Sequence, residues 1–217
     1  ALQIRSLVGI TAVTGALLGI LSGYFLYDAG PRDPNPQLTR GTVLFGQTRP
    51  LPKFSLVQSQ NRAFSEQALR GLWSLLFVGY THCPDVCPTT LSTLSEVVKT
   101  VGPPELRQRL QVVFLSVDPE RDTPERLREY TTFFHPDFIG VTGERQQIDT
   151  LTNALGGVYH IAEHAEGDRE YQVDHTSRIW LIDPRGHFHA VFGAPHEPAL
   201  LAQELSIIAE AYATSGS

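Results

Sequence analysis

The sequence predicts an α/β sandwich held behind one N-terminal transmembrane helix, and three observations lead there. Residues 6–27, SLVGITAVTGALLGILSGYFLY, carry no charge. Beyond residue 50, apolar runs of strand length alternate with segments of helical periodicity. The roughly 165 residues left after the first 50 of 217 are enough for one core and short for two.

The N-terminal segment comes first. At 1.5 Å per residue, its 22 residues span about 33 Å as a helix, close to the ~30 Å hydrocarbon thickness. Ten are Leu, Ile, Val or Phe, each favouring insertion by roughly 0.3–0.6 kcal/mol. A cleaved signal peptide fits less well. Its small residues belong three and one positions before the cut, whereas cuts after Gly23 or Ala29 put Leu21 or Tyr27 at the outer position. Residues 1–27 are therefore read as an anchor. Arg5 on one side and Arg32 and Arg40 on the other leave the orientation undecided by charge. Residues 28–50, with Pro31, Pro34, Pro36 and Pro50 among Gly30, Gly41 and Gly46, read as a tether, and residues 51–213 as the folded domain.

Within that domain, Phe54–Val57 is a short strand candidate. Leu72–Tyr80 (LWSLLFVGY) is nearly all apolar, as expected of a central strand covered on both faces. Asp85–Val101 follows as a helix with Leu91, Leu94 and Val98 on one face, and Val112–Val117 (VVFLSV) reads as a second buried strand. Thr123 caps the next helix, with Pro124 in its first turn. Phe138–Val141 is a strand and Glu144–Leu155 a helix. Residues 159–173 are polar and acidic and read as an excursion. Ile179–Ile182 and Phe188–Phe192 flank the turn Asp183-Pro184-Arg185-Gly186 and form a hairpin. Leu201, Leu205, Ile208 and Tyr212 recur at helical spacing and close the domain. The resulting order, β-α-β-α-β-β-α, is that of a thioredoxin-like sandwich.

The formal charge of −6 and the lack of any Lys/Arg run argue against a nucleic-acid partner. No Gly-rich phosphate loop or H-E-x-x-H pattern is present, so nucleotide and metalloprotease chemistry find no support. The chain has two cysteines only, Cys83 and Cys87, spaced C-x-x-x-C where the first buried strand gives way to its helix. A helix N-terminus favours thiolate. Residues four apart on a helical turn share a face, so both sulfurs can meet one ion, or each other in a disulfide. Soft thiolates suit Cu(I), an added imidazole suits Cu(II), and zinc with two Cys, one His and water is equally compatible.

Of eight histidines, most read as ordinary. His135 belongs to a loop, His160 and His164 to a solvated acidic stretch, and His187 and His189 to one face of the hairpin as exposed strand residues. His196 lies near the last helix, and His82 points away from Cys83. His175 stands out because it precedes a core strand whose lead-in, in a thioredoxin-like fold, lies against the cysteine helix.

Three segments, GYTHCPDVCP (79–88), SVDPERDTP (116–124) and VDHTSRIWLIDPRG (173–186), together resemble the Sco family of copper chaperones for cytochrome c oxidase assembly. The likeness runs from about residue 50 to 213. It departs at Val78, where an aromatic is frequent, at Trp180, where Tyr is usual, and at Leu72-Trp73. The resemblance implies that Cys83, Cys87 and His175 ligate one copper per chain, as Cu(I) or Cu(II). It also implies delivery to cytochrome c oxidase subunit II or another copper-accepting protein. Asp118 and the following Glu-Arg-Asp would then support the site or form a docking surface. A thiol–disulfide oxidoreductase, with Cys83 attacking and Cys87 resolving, is the competing reading, and a peroxiredoxin-like peroxidase is a third. The implied location is a bacterial inner membrane with the domain in the periplasm, favoured by a short N-terminus without an Arg/Ser-rich leader. The alternative is the mitochondrial inner membrane, facing the intermembrane space.

Overall fold

The computed structural model of the protein describes Leu38, residues 42–58 and residues 61–215. In chain order, β1 (Thr42–Pro50), β2 (Leu56–Gln58) and β3 (Arg62–Phe64) precede β4 (Trp73–Gly79). Helix α1 (Val86–Thr100) and the short α2 (Pro104–Gln108) lead into β5 (Leu110–Ser116). Then come α3 (Pro124–Phe134), β6 (Ile139–Thr142) and α4 (Arg145–Ala154). A separate hairpin of β7 (Tyr159–Ile161) and β8 (Val173–His175) leads to β9 (Ile179–Ile182), β10 (His187–Phe192) and α5 (Pro198–Ser215).

One eight-stranded sheet has the order β1-β10-β9-β4-β5-β6-β2-β3. Its centre, β4-β5-β6, is parallel, and β9 runs antiparallel to β4. All seven residues of β4 are buried, because both faces of a parallel strand are covered. Side chains alternate between those faces. Leu76 and Val78 join Trp180, Ile182, Ile148 and Leu151 in one cluster. On the other face the rings of Phe77 and Phe114 lie 6.0 Å apart, and α1 packs against α3 and α5. Trp180 is fully buried, and its indole N–H donates to the Leu155 carbonyl at 2.9 Å, so the polar edge is satisfied. This α/β sandwich is the thioredoxin-like arrangement read from the sequence.

Several boundaries differ from the sequence reading. The stretch expected as the end of a tether becomes β1 from Thr42, pairing with β10 across an irregularity between Leu44 and Arg49. An edge strand tolerates Gly46 and Pro50, which argued for an extended linker. The strand expected from Phe54 starts at Leu56 and folds onto β3. The polar excursion is organised by the β7–β8 hairpin at its two ends. The predicted transmembrane helix over residues 6–27 lies outside the described residues, and among the described residues no helix is long and apolar enough to cross a membrane.

Candidate metal centre

Strands β4 and β5 end side by side, with Gly79 paired to Ser116, so the segments that follow them converge at one end of the sheet. After β4 the chain turns through Tyr80–Asp85 into α1. The Cys83 N–H donates to the Tyr80 carbonyl at 3.3 Å, closing the turn, and Asp85 takes the N-cap position. After β5 comes Asp122, fully buried, which accepts from the Thr81 N–H at 2.9 Å, the Thr81 hydroxyl at 2.6 Å and the Ser116 hydroxyl at 2.6 Å. Asp122 thus clamps the cysteine turn to the end of β5. Burial raises its pKa, against the lowering effect of these three donors.

Cys83, in the turn before α1, is half-buried, Cys87, in the first turn of α1, is fully buried, and the two are not joined in a disulfide. The Cys87 N–H points at the Cys83 sulfur at 3.5 Å. Space for the inner sulfur exists only because β4 ends in glycine. A Cβ on Gly79 would lie 2.5 Å from the Cys87 sulfur and 2.8 Å from Phe114 Cε2. The two sulfurs titrate as a pair. Cys83 is drawn well below the ordinary thiol range by the thiol of Cys87, which outweighs burial, and backbone N–H groups of Asp85 and Cys87 add to this. Cys87, donating that bond and enclosed by apolar walls, is pushed up. One accessible thiolate beside one buried thiol is the result.

His175 ends β8 and brings its Nε2 to 3.3 Å from the Cys87 sulfur. Its Nδ1–H donates to the Thr176 carbonyl at 3.2 Å, a bond that leaves the Nε2 lone pair facing the sulfurs. The rings of Phe77 and Tyr80 hold the imidazole edge-on at 6.0 and 5.9 Å. The sulfurs of Cys83 and Cys87 and a ring nitrogen of His175 all lie within 4.8 Å of one another, and no other such group of three occurs among the described residues. Two soft sulfurs and one imidazole on a common centre fit a thiophilic ion of low coordination number.

The segment bearing His175 is fastened on both sides. Thr176 bonds Val158 through its N–H at 2.9 Å and its hydroxyl at 3.0 Å. His196, which looked ordinary, places its Nε2 at 2.9 Å from the Ser177 carbonyl. Other histidines also depart from expectation. The ring of His164, expected in a solvated stretch, stacks on Tyr171 at 3.7 Å and meets Glu120 at 3.1 Å. His189, expected as an exposed strand residue, packs between Trp73 and Tyr212 with its Nδ1 at 3.6 Å from Asp183. His82 stays 40% exposed and bonds Thr81, outside the three-donor group. Asp118 carries no donor atom into the centre, and its carboxylate is taken by Arg121 and the Tyr171 hydroxyl. The His164–Glu120 and Tyr171–Asp118 contacts join residues 44 and 53 positions apart, and no local sequence signal marks those two pairings.

The SCO1/SenC family model matches residues 46–210. An SCO2-like protein of Rickettsia conorii is 33% identical over 186 residues, covering 84% of this chain and 88% of its own. The structure of Arabidopsis thaliana ScoI with copper bound superposes with a TM-score of 0.67 at 33% identity, over 74% of this chain and 98% of that one. Bradyrhizobium japonicum ScoI with copper bound gives 0.64 at 34% identity, over 73% and 99%. The matched span takes in the cysteine turn, the β5 end and His175 alike, and this chain belongs to the SCO1/SenC family.

Proposed function

We propose that the protein is a copper carrier that holds one ion through Cys83, Cys87 and His175 and passes it to another protein. The observation that carries this reading is the convergence of two sulfurs and one imidazole nitrogen within 4.8 Å. The copper-bound state of the Arabidopsis and Bradyrhizobium relatives supports copper over zinc. In this reading the two thiolates hold Cu(I), and the imidazole completes a set that also accepts Cu(II). The acceptor is the binuclear copper centre of cytochrome c oxidase subunit II or a similar copper-accepting protein. Residues 1–27 anchor the chain in a bacterial inner membrane with the domain in the periplasm, or in the mitochondrial inner membrane facing the intermembrane space.

Anaerobic copper titration followed by absorption, on wild type and His175→Ala, tests the assignment. Wild type is expected to bind one equivalent and to show thiolate-to-Cu(II) charge-transfer bands that vanish in the variant. Wild-type affinity in both oxidation states after loss of His175 or Cys83 would overturn it.

A second reading, thiol–disulfide exchange, is favoured by the asymmetry of the pair. Cys83 is the accessible thiolate suited to attack a target disulfide, and Cys87 is the shielded thiol suited to resolve the mixed disulfide. The target would leave as a dithiol and this chain as the Cys83–Cys87 disulfide. Reductase turnover unaffected by His175→Ala, without tight copper binding, would favour this second reading over the first.

A further inference from the structure

Among the described residues Arg121 is the one Lys or Arg that is buried, 5% exposed, and neither metal binding nor thiol exchange uses it directly. Its guanidinium lies over two tyrosine rings. Its Cζ sits 3.6 Å from the centroid of the Tyr171 ring and 5.3 Å from that of Tyr80. Beyond Tyr171 the His164 ring stacks almost parallel, at 13° and 3.7 Å, and reaches the surface carboxylate of Glu120. At the other end Tyr80 meets the edge of His175. The same guanidinium donates Nη1 to the carbonyls of Arg169 and Tyr171, both at 2.9 Å, and Nε to the fully buried Asp118.

We infer that Arg121 is a positioning residue for His175, acting through the Tyr80 ring on one side and the backbone entering β8 on the other. The inference rests on the copper-carrier reading and deepens it. Strand β8 belongs to a two-stranded hairpin outside the main sheet, so pairing within the sheet does not place His175. Arg121, rooted three residues beyond Asp118 at the end of β5, ties the hairpin to the sheet four residues before His175, through the Tyr171 carbonyl. Its planar fork satisfies two carbonyls and a carboxylate while stacking on two rings, which a lysine ammonium cannot do. The sulfurs are placed by β4, the Tyr80–Asp85 turn with its Asp122 clamp, and α1, and none of the hydrogen bonds that hold that turn involves the Arg121 side chain. Loss of Arg121 therefore selects against imidazole ligation and leaves the thiolate pair in place.

The test uses the full chain with Asp118→Asn/Arg121→Gln, which removes both buried charges together, and Arg121→Lys, which keeps the cation. Cu(II) affinity and charge-transfer spectrum, Cu(I) affinity by anaerobic competition, and thermal melting are measured on each. The double variant is expected to lose Cu(II) affinity by about tenfold or more, the range of supporting-residue changes at metal sites, with Cu(I) affinity held within roughly threefold. Arg121→Lys is expected to melt close to wild type yet keep the weakened Cu(II) spectrum. Unchanged Cu(II) binding, or equal loss of Cu(I) and Cu(II), would overturn the inference. A metal-free arm separates it from the carrier reading: amide hydrogen exchange at Asp174 and Thr176, the hydrogen-bonded positions of the β7–β8 pairing on either side of His175, should accelerate about tenfold or more in both variants. Wild type that takes up no copper refutes the carrier. Wild-type exchange rates in the variants refute the role of Arg121.

Discussion

Replacing Gly79 by alanine tests how tightly the sulfur site is built. The backbone there is ordinary strand, and what excludes a side chain is space. The new methyl would stand 2.5 Å from the Cys87 sulfur and 2.8 Å from Phe114 Cε2, whereas ordinary contact begins at 3.4 Å. The sulfur must withdraw by about 0.9 Å, or β4 and α1 must part by a similar amount. Overpacking of this kind costs about 1–3 kcal/mol. At ~2–4 °C per kcal/mol for a domain of this size, the melting temperature should fall by roughly 2–12 °C. Metal–ligand distances tolerate only about 0.2 Å, so a donor displaced several times that far should lower Cu(I) affinity at least tenfold, about 1.4 kcal/mol. Gly102→Ala is the control, since its Cβ would meet Ser206 Oγ at 2.6 Å just beyond the C-terminal end of α1, whose opposite end carries Cys87. That variant should lose stability and retain copper affinity. Wild-type Cu(I) affinity and melting in Gly79→Ala would refute the claim that this glycine makes room for the ligand.

Two further outcomes follow from the scaffold. Burial raises the Asp183 pKa, but the His189 ring 3.6 Å away and hydrogen bonds from the His187 N–H and Arg185 outweigh it and hold the carboxyl below its ordinary value. A depressed folded-state pKa contributes stability above the unfolded value of ~3.9, and that contribution is lost as pH falls through the folded value. The urea midpoint of Asp183→Asn should therefore trail wild type at pH 6, with the gap closing only below about pH 3.9, and a gap constant to pH 2 would contradict the assignment. Thr123 caps α3 by accepting from the Arg126 N–H at 3.2 Å, so Thr123→Ala should cost about 1 kcal/mol in urea unfolding without altering copper affinity.

The sequence made the centre of the sheet legible because burial on both faces writes a continuous apolar run, as in Leu75–Val78. The cysteine turn was legible from its position after that run. Short pairings were not. Strands β3, β7 and β8 have three residues each, too few to show a period, and β1 hides behind glycine and proline that an edge strand tolerates. His175 drew notice through its place before a core strand and its likeness to a family. Asp118 and Arg121 lie three residues apart, but Tyr171 joins them only because distant segments meet, so that partnership is absent from any local window. His196 shows the same limit, since its bond to Ser177 crosses 19 positions.

The three donors do not share one mounting. Both sulfurs belong to the strand–helix frame, while the imidazole rides on a two-stranded appendage. A group leashed in this way stays at an effective concentration of order millimolar when it detaches. Under the proposed function, handover can then proceed one bond at a time, with an incoming side chain taking the place of the imidazole before either sulfur lets go. The ion never has to pass through solvent.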